Sequence, residues 1–248
     1  MTRPIRHLDR PWGRLAYRLR DGCEPPLVLV HGSCCDGTDW APVLPHLAAG
    51  RMTVSLDLCG HGESDGPGGP VTFDGMARDI LALADTLSLD RPVLGGHSLG
   101  GMLALRCMEL APTALRGAVL VEGWTRLGVP WTAARSMYGT LPRETVAAIR
   151  QRDIRTLARW PGTSHEEFWR TVRRADGTVT LATSDIPVLE IYGDRGESHP
   201  PGAALLVPER PNITLVWIEG AAHYLLHEAP ERVGRAMADW LSASAIIA

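Results

Sequence analysis

The 248-residue sequence contains no lysine, so all 25 of its basic residues are arginine. Enzymes that form a Schiff base with a carbonyl substrate or with pyridoxal phosphate need a lysine amine, and both chemistries are therefore excluded. A strong excess of either charge is also missing, because 28 acidic residues leave a formal net charge of −3. This balance gives no electrostatic reason to expect nucleic acid or an anionic membrane as a partner.

Long apolar runs are absent as well, since no stretch approaches the roughly 18 uninterrupted apolar residues of a membrane span. The Arg-rich beginning of the chain lacks a continuous apolar segment, which predicts that there is no secretory signal. Five cysteines, an odd number without a Cys-x-x-Cys pair, predict free thiols and a cytoplasmic location. The length and the 45% hydrophobic content suit one sizeable core.

Short apolar runs rich in β-branched residues recur along the chain and predict strands buried on both faces of a parallel sheet. They cover residues 27–30, 52–56, 92–94, 118–121, 186–191 and 213–218, and a partly alternating run at 15–19 predicts an antiparallel strand. Apolar residues at helical spacing lie between most of these runs, over residues 74–87, 101–110 and 230–241. The alternation of strands with helices predicts an α/β fold.

One connection, between Val121 and Ile186, is about 60 residues long and far exceeds an ordinary loop. Helical patterns occur in it near residues 131–137, 142–150 and 164–173. We interpret residues 123–184 as an inserted helical cap on a core formed by residues 1–122 and 185–248. Its aromatic residues either pack the cap onto the core or line an apolar substrate cleft. Among them, Trp124 and Trp131 are the candidates for substrate contact.

Four glycines surround one serine in the stretch GGHSLGG, residues 95–101. Its central five residues match Gly-x-Ser-x-Gly, in which the serine occupies a sharp, strained turn from strand to helix. Glycines without a Cβ permit close packing around that turn. The turn exposes the hydroxyl of Ser98 and directs the N–H of Leu99 towards the same point. Because a predicted strand precedes the stretch and a predicted helix follows it, Ser98 is a candidate nucleophile.

Five stretches in order carry a wider resemblance: LVLVHGS, SLDLCGHGESD, GGHSLGG, IPVLEIYGDRG and EGAAHYLLHEAPERV. With them the sequence resembles the α/β-hydrolase superfamily over nearly its whole length. The resemblance implies a mostly parallel eight-stranded sheet flanked by helices, with an inserted helical cap. It also implies an oxyanion hole made by the N–H of Leu99 and by an N–H that follows the third strand. Ser33 is the expected second donor, ahead of Cys34.

The resemblance also implies a catalytic base in the loop after the last strand, where this chain has His223. That residue would take the proton of Ser98 and later return it to the leaving group. His223 and His227 are four positions apart, but no glutamate motif or nearby cysteine accompanies them, so neither a metal nor a cofactor is expected. Three other histidines lie in turn motifs and are expected to hold backbone geometry, namely His31, His61 and His97.

The acid that should orient His223 is harder to identify. The superfamily usually places it last in a Gly-x-x-Asp pattern, where this chain has glycine at the end of Gly-Asp-Arg-Gly, residues 193–196. Asp194 or Glu197 could serve there only if the loop were remodelled. Glu122 directly follows the buried run 118–121, where haloalkane dehalogenases and zearalenone-type lactonases keep their acid. A charge at that place needs a partner such as a histidine, so Glu122 is the first candidate and the other two stay open.

These residues predict a serine hydrolase that cleaves a carboxylic ester, lactone or thioester of a bulky apolar small molecule through an acyl-enzyme. The same fold leaves C–C bond hydrolysis, cofactor-free haloperoxidase activity, and lyase or cyclase chemistry open. Haloalkane dehalogenase and epoxide hydrolase activities are disfavoured, because those enzymes carry aspartate where this chain has Ser98. A homodimer is compatible with the sequence.

Overall fold

A computed structural model describes residues 4–47, 50–129, 137–199 and 202–243 of the chain. One sheet contains eight strands: β1 (Arg6–Arg10), β2 (Gly13–Arg20), β3 (Cys23–Val30), β4 (Arg51–Leu56), β5 (Val93–His97), β6 (Gly117–Val121), β7 (Val188–Gly193) and β8 (Ile213–Ile218). Their order across the sheet is β1-β2-β4-β3-β5-β6-β7-β8. β1 pairs antiparallel with β2, β2 pairs antiparallel with β4, and the remaining neighbours are parallel.

The α-helices of the described residues lie between or after these strands: α1 (Phe73–Thr86), α2 (Leu99–Leu110), α3 (Arg143–Leu157), α4 (Ser164–Val172), α5 (Thr178–Thr183), α6 (Leu225–Glu228) and α7 (Pro230–Ala243). Three of them, α3 to α5, belong to the long connection between β6 and β7. A short 3-10 helix at Gly37–Trp40 follows β3. No helix in the described part of the chain has the length and apolar character needed to cross a membrane.

The central strands are apolar on both faces because helices cover both sides of the sheet. Val28 and Val30 of β3 pack in one core cluster with α1 and α2, whereas Leu27 and Leu29 pack in another with α7. All four side chains are fully buried. Alternate side chains of a strand point to opposite faces, so continuous apolar runs are what two covered faces require.

The predicted α/β-hydrolase fold, with its mostly parallel eight-stranded sheet and flanking helices, is confirmed. Several predicted boundaries were wrong: the strand at 27–30 begins at Cys23, the one at 92–94 runs to His97, and the helix at 101–110 begins at Leu99. These ends contain glycine and polar residues, so a pattern of apolar residues does not include them. β1 was missed because it is a charged, largely exposed edge strand. The helical pattern near 131–137 falls almost wholly outside the described residues.

Candidate active site

Ser98 occupies the turn between β5 and α2 with a φ of 51° and a ψ of −115°. This positive φ is a strained backbone conformation for a residue that has a Cβ. A Cβ on Gly96 would lie 2.2 Å from the carbonyl of Gly100, and one on Gly100 would lie 2.4 Å from the oxygen of Val30. The N–H of Ser98 donates to the carbonyl of Val121 at 2.9 Å, which ties the turn to β6. The predicted strained turn from strand to helix is therefore confirmed.

His223 lies in the loop after β8 and reaches both Ser98 and Glu122. Its Nε2 atom is 3.0 Å from the hydroxyl oxygen of Ser98, and its Nδ1 atom is 3.2 Å from Oε2 of Glu122. A carboxylate only accepts hydrogen bonds, so Nδ1 carries the ring proton and Nε2 is left to accept the proton of Ser98. The structure thus brings these three predicted residues into one continuous chain of hydrogen bonds.

His97 precedes Ser98 in sequence but has a different role in the structure. Its Nε2–H donates to the carbonyl of His223 at 2.8 Å, which fixes the backbone of the loop that carries His223. Burial and the neighbouring His223 lower the pKa of His97 to about 3, so its ring stays neutral near pH 7. The prediction that His97 holds backbone geometry is confirmed.

Glu122 directly follows β6, has a φ of 49°, and is fully buried. Besides His223, its carboxylate accepts the N–H of Gly193 at 2.9 Å and the guanidinium of Arg195 at 2.8 and 3.2 Å. Burial raises the pKa of this carboxyl, but the hydrogen bonds from His223 and Arg195 outweigh it, and the pKa is lowered. Glu122 is therefore an ionised carboxylate held in place by three neighbours.

The other two candidate acids serve different neighbours. The carboxylate of Asp194 accepts the N–H of Gly196 at 2.8 Å and the N–H of Gly220 at 2.6 Å, and it lies 3.2 Å from the ring of His199. Asp194 therefore braces its own loop and the loop that leads to His223. Glu197 is exposed. Among the described residues, the carboxylate that contacts His223 is that of Glu122.

The predicted oxyanion donors lie beside Ser98. Leu99 is the first residue of α2, and the first N–H groups of a helix have no intrahelical acceptor. Ser33 follows Gly32, on which a Cβ would lie 3.2 Å from the Cβ of Ser98. Ser33 and Ser98 line one cavity of about 280 Å³. Trp124 lines it as well, with its ring centroid 5.2 Å from that of His223, whereas Trp131 lies outside the described residues.

A family model for the alpha/beta hydrolase fold matches residues 25–159. The chain belongs to this family. It is 41% identical over 111 residues to a dihydrolipoyllysine-residue acetyltransferase component of an acetoin cleaving system from Pseudomonas putida, a match that covers 44% of this chain and only 30% of that protein. A 2-(acetamidomethylene)succinate hydrolase from Mesorhizobium japonicum is 26% identical in an alignment of 264 positions, gaps included, that covers 93% of either chain. A thermophilic esterase from Thermogutta terrifontis shares the fold, with a TM-score of 0.75, 24% identity and 98% of either chain covered.

In this α/β-hydrolase, an arginine of α3 that the sequence did not reveal holds the loop after β3. Arg152 of α3 donates from Nε to the carbonyl of Cys34 at 3.1 Å and from Nη1 to Asp39 at 2.9 Å. His227 meets the same carboxylate oxygen of Asp39 at 2.6 Å. One polar cluster therefore joins helix α3, the loop that carries Ser33 and helix α6. The sequence offered no signal for it, because α3 has a mostly polar and exposed surface.

The two remaining turn-motif histidines also have the predicted structural role. His31 accepts the N–H of Leu58 at 2.9 Å and lies 2.6 Å from the carbonyl of Gly32, while His61 lies 2.8 Å from the carbonyl of Cys59. Burial lowers the pKa of His31, and burial together with His31 lowers that of His61 to about 3. Within the described ranges, no group of three or more His, Cys, Asp or Glu side chains is arranged to hold a metal ion.

Proposed function

We propose that this α/β-hydrolase is a serine hydrolase that cleaves a carboxylic ester, lactone or thioester of an apolar small molecule. The observation that carries the proposal is the chain of hydrogen bonds from Ser98 through His223 to Glu122. A nucleophile next to a base that is oriented by a third group is the arrangement that acyl transfer needs.

In the first half of the reaction, the hydroxyl oxygen of Ser98 attacks the substrate carbonyl while Nε2 of His223 takes its proton. Glu122 remains ionised and stabilises the imidazolium that forms. The N–H groups of Leu99 and Ser33 stabilise the oxyanion, and each such donor typically contributes about 3 kcal/mol to the transition state. The tetrahedral intermediate then expels the alcohol or thiol, which takes the proton from His223, and an acyl-Ser98 ester remains.

Water completes the second half of the reaction. His223 removes a proton from a water molecule as it attacks the acyl-enzyme, and the same oxyanion donors hold the second tetrahedral intermediate. Collapse of that intermediate releases the carboxylic acid and returns the proton to Ser98. No cofactor is needed for either half, because every proton moves between His223 and the reacting oxygen or sulfur atoms.

The cavity beside Ser98 supports a small substrate with an apolar part. Its volume of about 280 Å³ is close to the lower end of the range for ligand sites, and Trp124, Tyr138 and Trp169 contribute to its lining. Aromatic walls stabilise apolar acyl or alcohol groups by burying them. We therefore propose a compact apolar substrate in place of the bulky one that the sequence predicted.

The Mesorhizobium japonicum relative supports a second candidate. Its name describes a hydrolase of 2-(acetamidomethylene)succinate, and the match covers 93% of either chain. The second candidate function is the hydrolysis of an amide or a C–C bond, instead of an ester, by the same three residues.

A panel of p-nitrophenyl esters with acyl chains of increasing length tests the proposal, together with a fluorophosphonate probe that labels activated serines. We expect ester turnover and labelling in the wild-type protein, and neither in Ser98→Ala. Labelling of Ser98 without turnover of any ester or thioester would favour the second candidate. The absence of both labelling and turnover in a folded protein would overturn both.

A further inference from the structure

Asp153 brings one carboxylate to an otherwise largely apolar and aromatic cavity. It lies on the cap helix α3 and lines the cavity together with Ser98, Trp124 and Tyr138. Among the described residues that line this cavity, Asp153 is the only one with a carboxylate, and none of them is an arginine. A charge of this kind in such a wall needs a partner of opposite sign.

The described part of the chain supplies no such partner. The Oδ1 atom of Asp153 is buried without a hydrogen bond. The two arginines of the same helix whose charges act on Asp153 are engaged elsewhere: Arg152 bonds Cys34 and Asp39, and Arg150 lies over the ring of Tyr138 at 5.4 Å. Burial raises the pKa of Asp153 although both arginines lower it, as expected for a carboxyl that lacks a direct ion pair.

The surroundings of Asp153 favour a cation. Asp36 and Asp39, on the neighbouring loop, both pair with Arg152, and Asp39 also contacts His227. With Asp153, three carboxylates therefore face the two arginines Arg150 and Arg152 in this region. Aromatic rings complete the wall: Trp124 lies beside His223, and the ring of Tyr138, which already has the guanidinium of Arg150 over it, stacks on Tyr224 at 5.5 Å. The π-faces of aromatic rings attract organic cations, most strongly when water is excluded.

We propose that Asp153 binds an ammonium group of the substrate, so that the enzyme acts on small amino esters or amino thioesters. This inference rests on the proposed function and changes its substrate class from wholly apolar molecules to compact ones that carry one ammonium group. The ammonium N–H donates to the carboxylate of Asp153 while the ester carbonyl lies at Ser98. A cavity of about 280 Å³ leaves room for only a short chain between the two groups.

Two pairs of isosteric substrates test the proposal, one for each side of the ester bond. On the acyl side, p-nitrophenyl 3-(dimethylamino)propanoate is compared with p-nitrophenyl 4-methylpentanoate. On the alcohol side, 2-(dimethylamino)ethyl acetate is compared with 3-methylbutyl acetate in a pH-stat. Both amines are protonated at pH 7, and each cationic substrate differs from its neutral partner by N–H⁺ in place of C–H.

For each pair, the ratio of kcat/KM for the cationic substrate to that for the neutral one is measured in the wild type and in Asp153→Asn. Comparing ratios between proteins cancels the intrinsic reactivity of each ester. We expect the ratio for at least one pair to fall tenfold or more in Asp153→Asn, which keeps the shape of the side chain. Glu144→Gln removes the same charge from an exposed position of the same helix and should leave both ratios unchanged.

Ratios that are the same in all three proteins, for both pairs, would overturn the role of Asp153. An equal fall in Asp153→Asn and Glu144→Gln would also overturn it. The overall negative charge of helix α3, and not Asp153 itself, would then explain the preference for cationic substrates. Fluorophosphonate labelling of Ser98 separates this failure from that of the proposed function. If labelling and neutral ester turnover persist, only the ammonium site is wrong.

Discussion

The Nδ1 atom of His223 lies 3.2 Å from a carboxylate oxygen of Glu122, a residue that follows β6 and not β7. The contact is buried, and Glu122 is fixed by Gly193 and Arg195 as well. A fixed carboxylate at Nδ1 holds the proton on that nitrogen and leaves Nε2 available to the hydroxyl of Ser98. The tautomer and the orientation of the proposed base therefore both depend on Glu122.

We predict that Glu122→Gln lowers kcat for a p-nitrophenyl ester by about 10⁴-fold, the effect known when an amide replaces the carboxylate of such a triad. The amide can donate to Nδ1 and so favour the wrong tautomer. Asp194→Asn is the matched control, because it changes a buried carboxylate of the adjacent loop that bonds Gly196 and Gly220. Its kcat should fall by less than about tenfold. The opposite ranking of the two variants would transfer the proposed role to Asp194.

Ser98 and Glu122 could be found from the sequence because each directly follows a recognisable strand, and His223 because the resemblance implies a base in the loop after the last strand. The carboxyl ends of parallel strands meet at one edge of the sheet, so residues that directly follow such strands are brought together there. The direction of each side chain was not predictable. Asp194 is as close to a strand end as Glu122 is, but its carboxylate accepts backbone N–H groups from Gly196 of its own loop and from Gly220 of the loop after β8.

Two arginines near the site could not be predicted. Arg195 stands in a loop where an acid was expected, and only the fold shows that it meets Glu122. Arg152 contacts residues more than one hundred positions away in sequence, which no local pattern encodes. Long side chains on exposed helices usually extend into solvent. The pairing of Arg152 depends on how α3 lies against the loop after β3.

Arg195 should contribute to stability through its buried ion pair with Glu122. Its side chain is only 8% exposed, and breaking such a pair from one side typically costs about 3–5 kcal/mol of unfolding free energy. We therefore predict a loss of this size for Arg195→Met in urea unfolding at pH 7, and a smaller loss for Arg195→Lys, which keeps the charge but not the two-pronged geometry.

The loss in Arg195→Met should depend on pH through Glu122. Its pKa is lowered in the folded protein, so its stabilising contribution is complete above the unfolded pKa of about 4.5 and disappears as the pH falls through the lower, folded value. The difference between wild type and Arg195→Met should therefore stay constant from pH 7 to about pH 5 and shrink as the pH falls below about 4.5. A difference that does not change with pH would mean that Arg195 acts by packing alone.

Arg152 should act on the acylation rate through the loop that carries Ser33. It holds the carbonyl of Cys34, the residue next to Ser33, so its removal should loosen one proposed oxyanion donor. We predict that Arg152→Met slows the pre-steady-state burst of p-nitrophenol by about 10- to 100-fold, less than the complete loss of a donor. Arg155→Met, an exposed change on the same helix, is the control. A raised KM with an unchanged burst rate would instead assign Arg152 to substrate binding.

Glu190 is a buried acid outside the proposed mechanism. It lies on β7 between Leu120 and Leu215 of the neighbouring strands, is fully buried, and has no hydrogen-bond partner for either carboxylate oxygen among the described residues. Burial raises the pKa of Glu190 well above its ordinary value of 4.5. The folded protein therefore holds this carboxyl in its neutral form at pH values where the unfolded chain ionises it.

We predict that Glu190→Leu stabilises the protein increasingly as the pH rises. The contribution of a raised pKa is complete below the unfolded value and is lost as the pH rises towards the folded one, by up to about 1.4 kcal/mol per pH unit. The leucine variant has no such loss, so its advantage in unfolding free energy over the wild type should grow by about 1–3 kcal/mol between pH 5 and pH 7 in urea titrations. Glu144→Gln, at an exposed site, should show no comparable trend. An advantage that is constant over this range would mean that Glu190 is ionised in the folded protein.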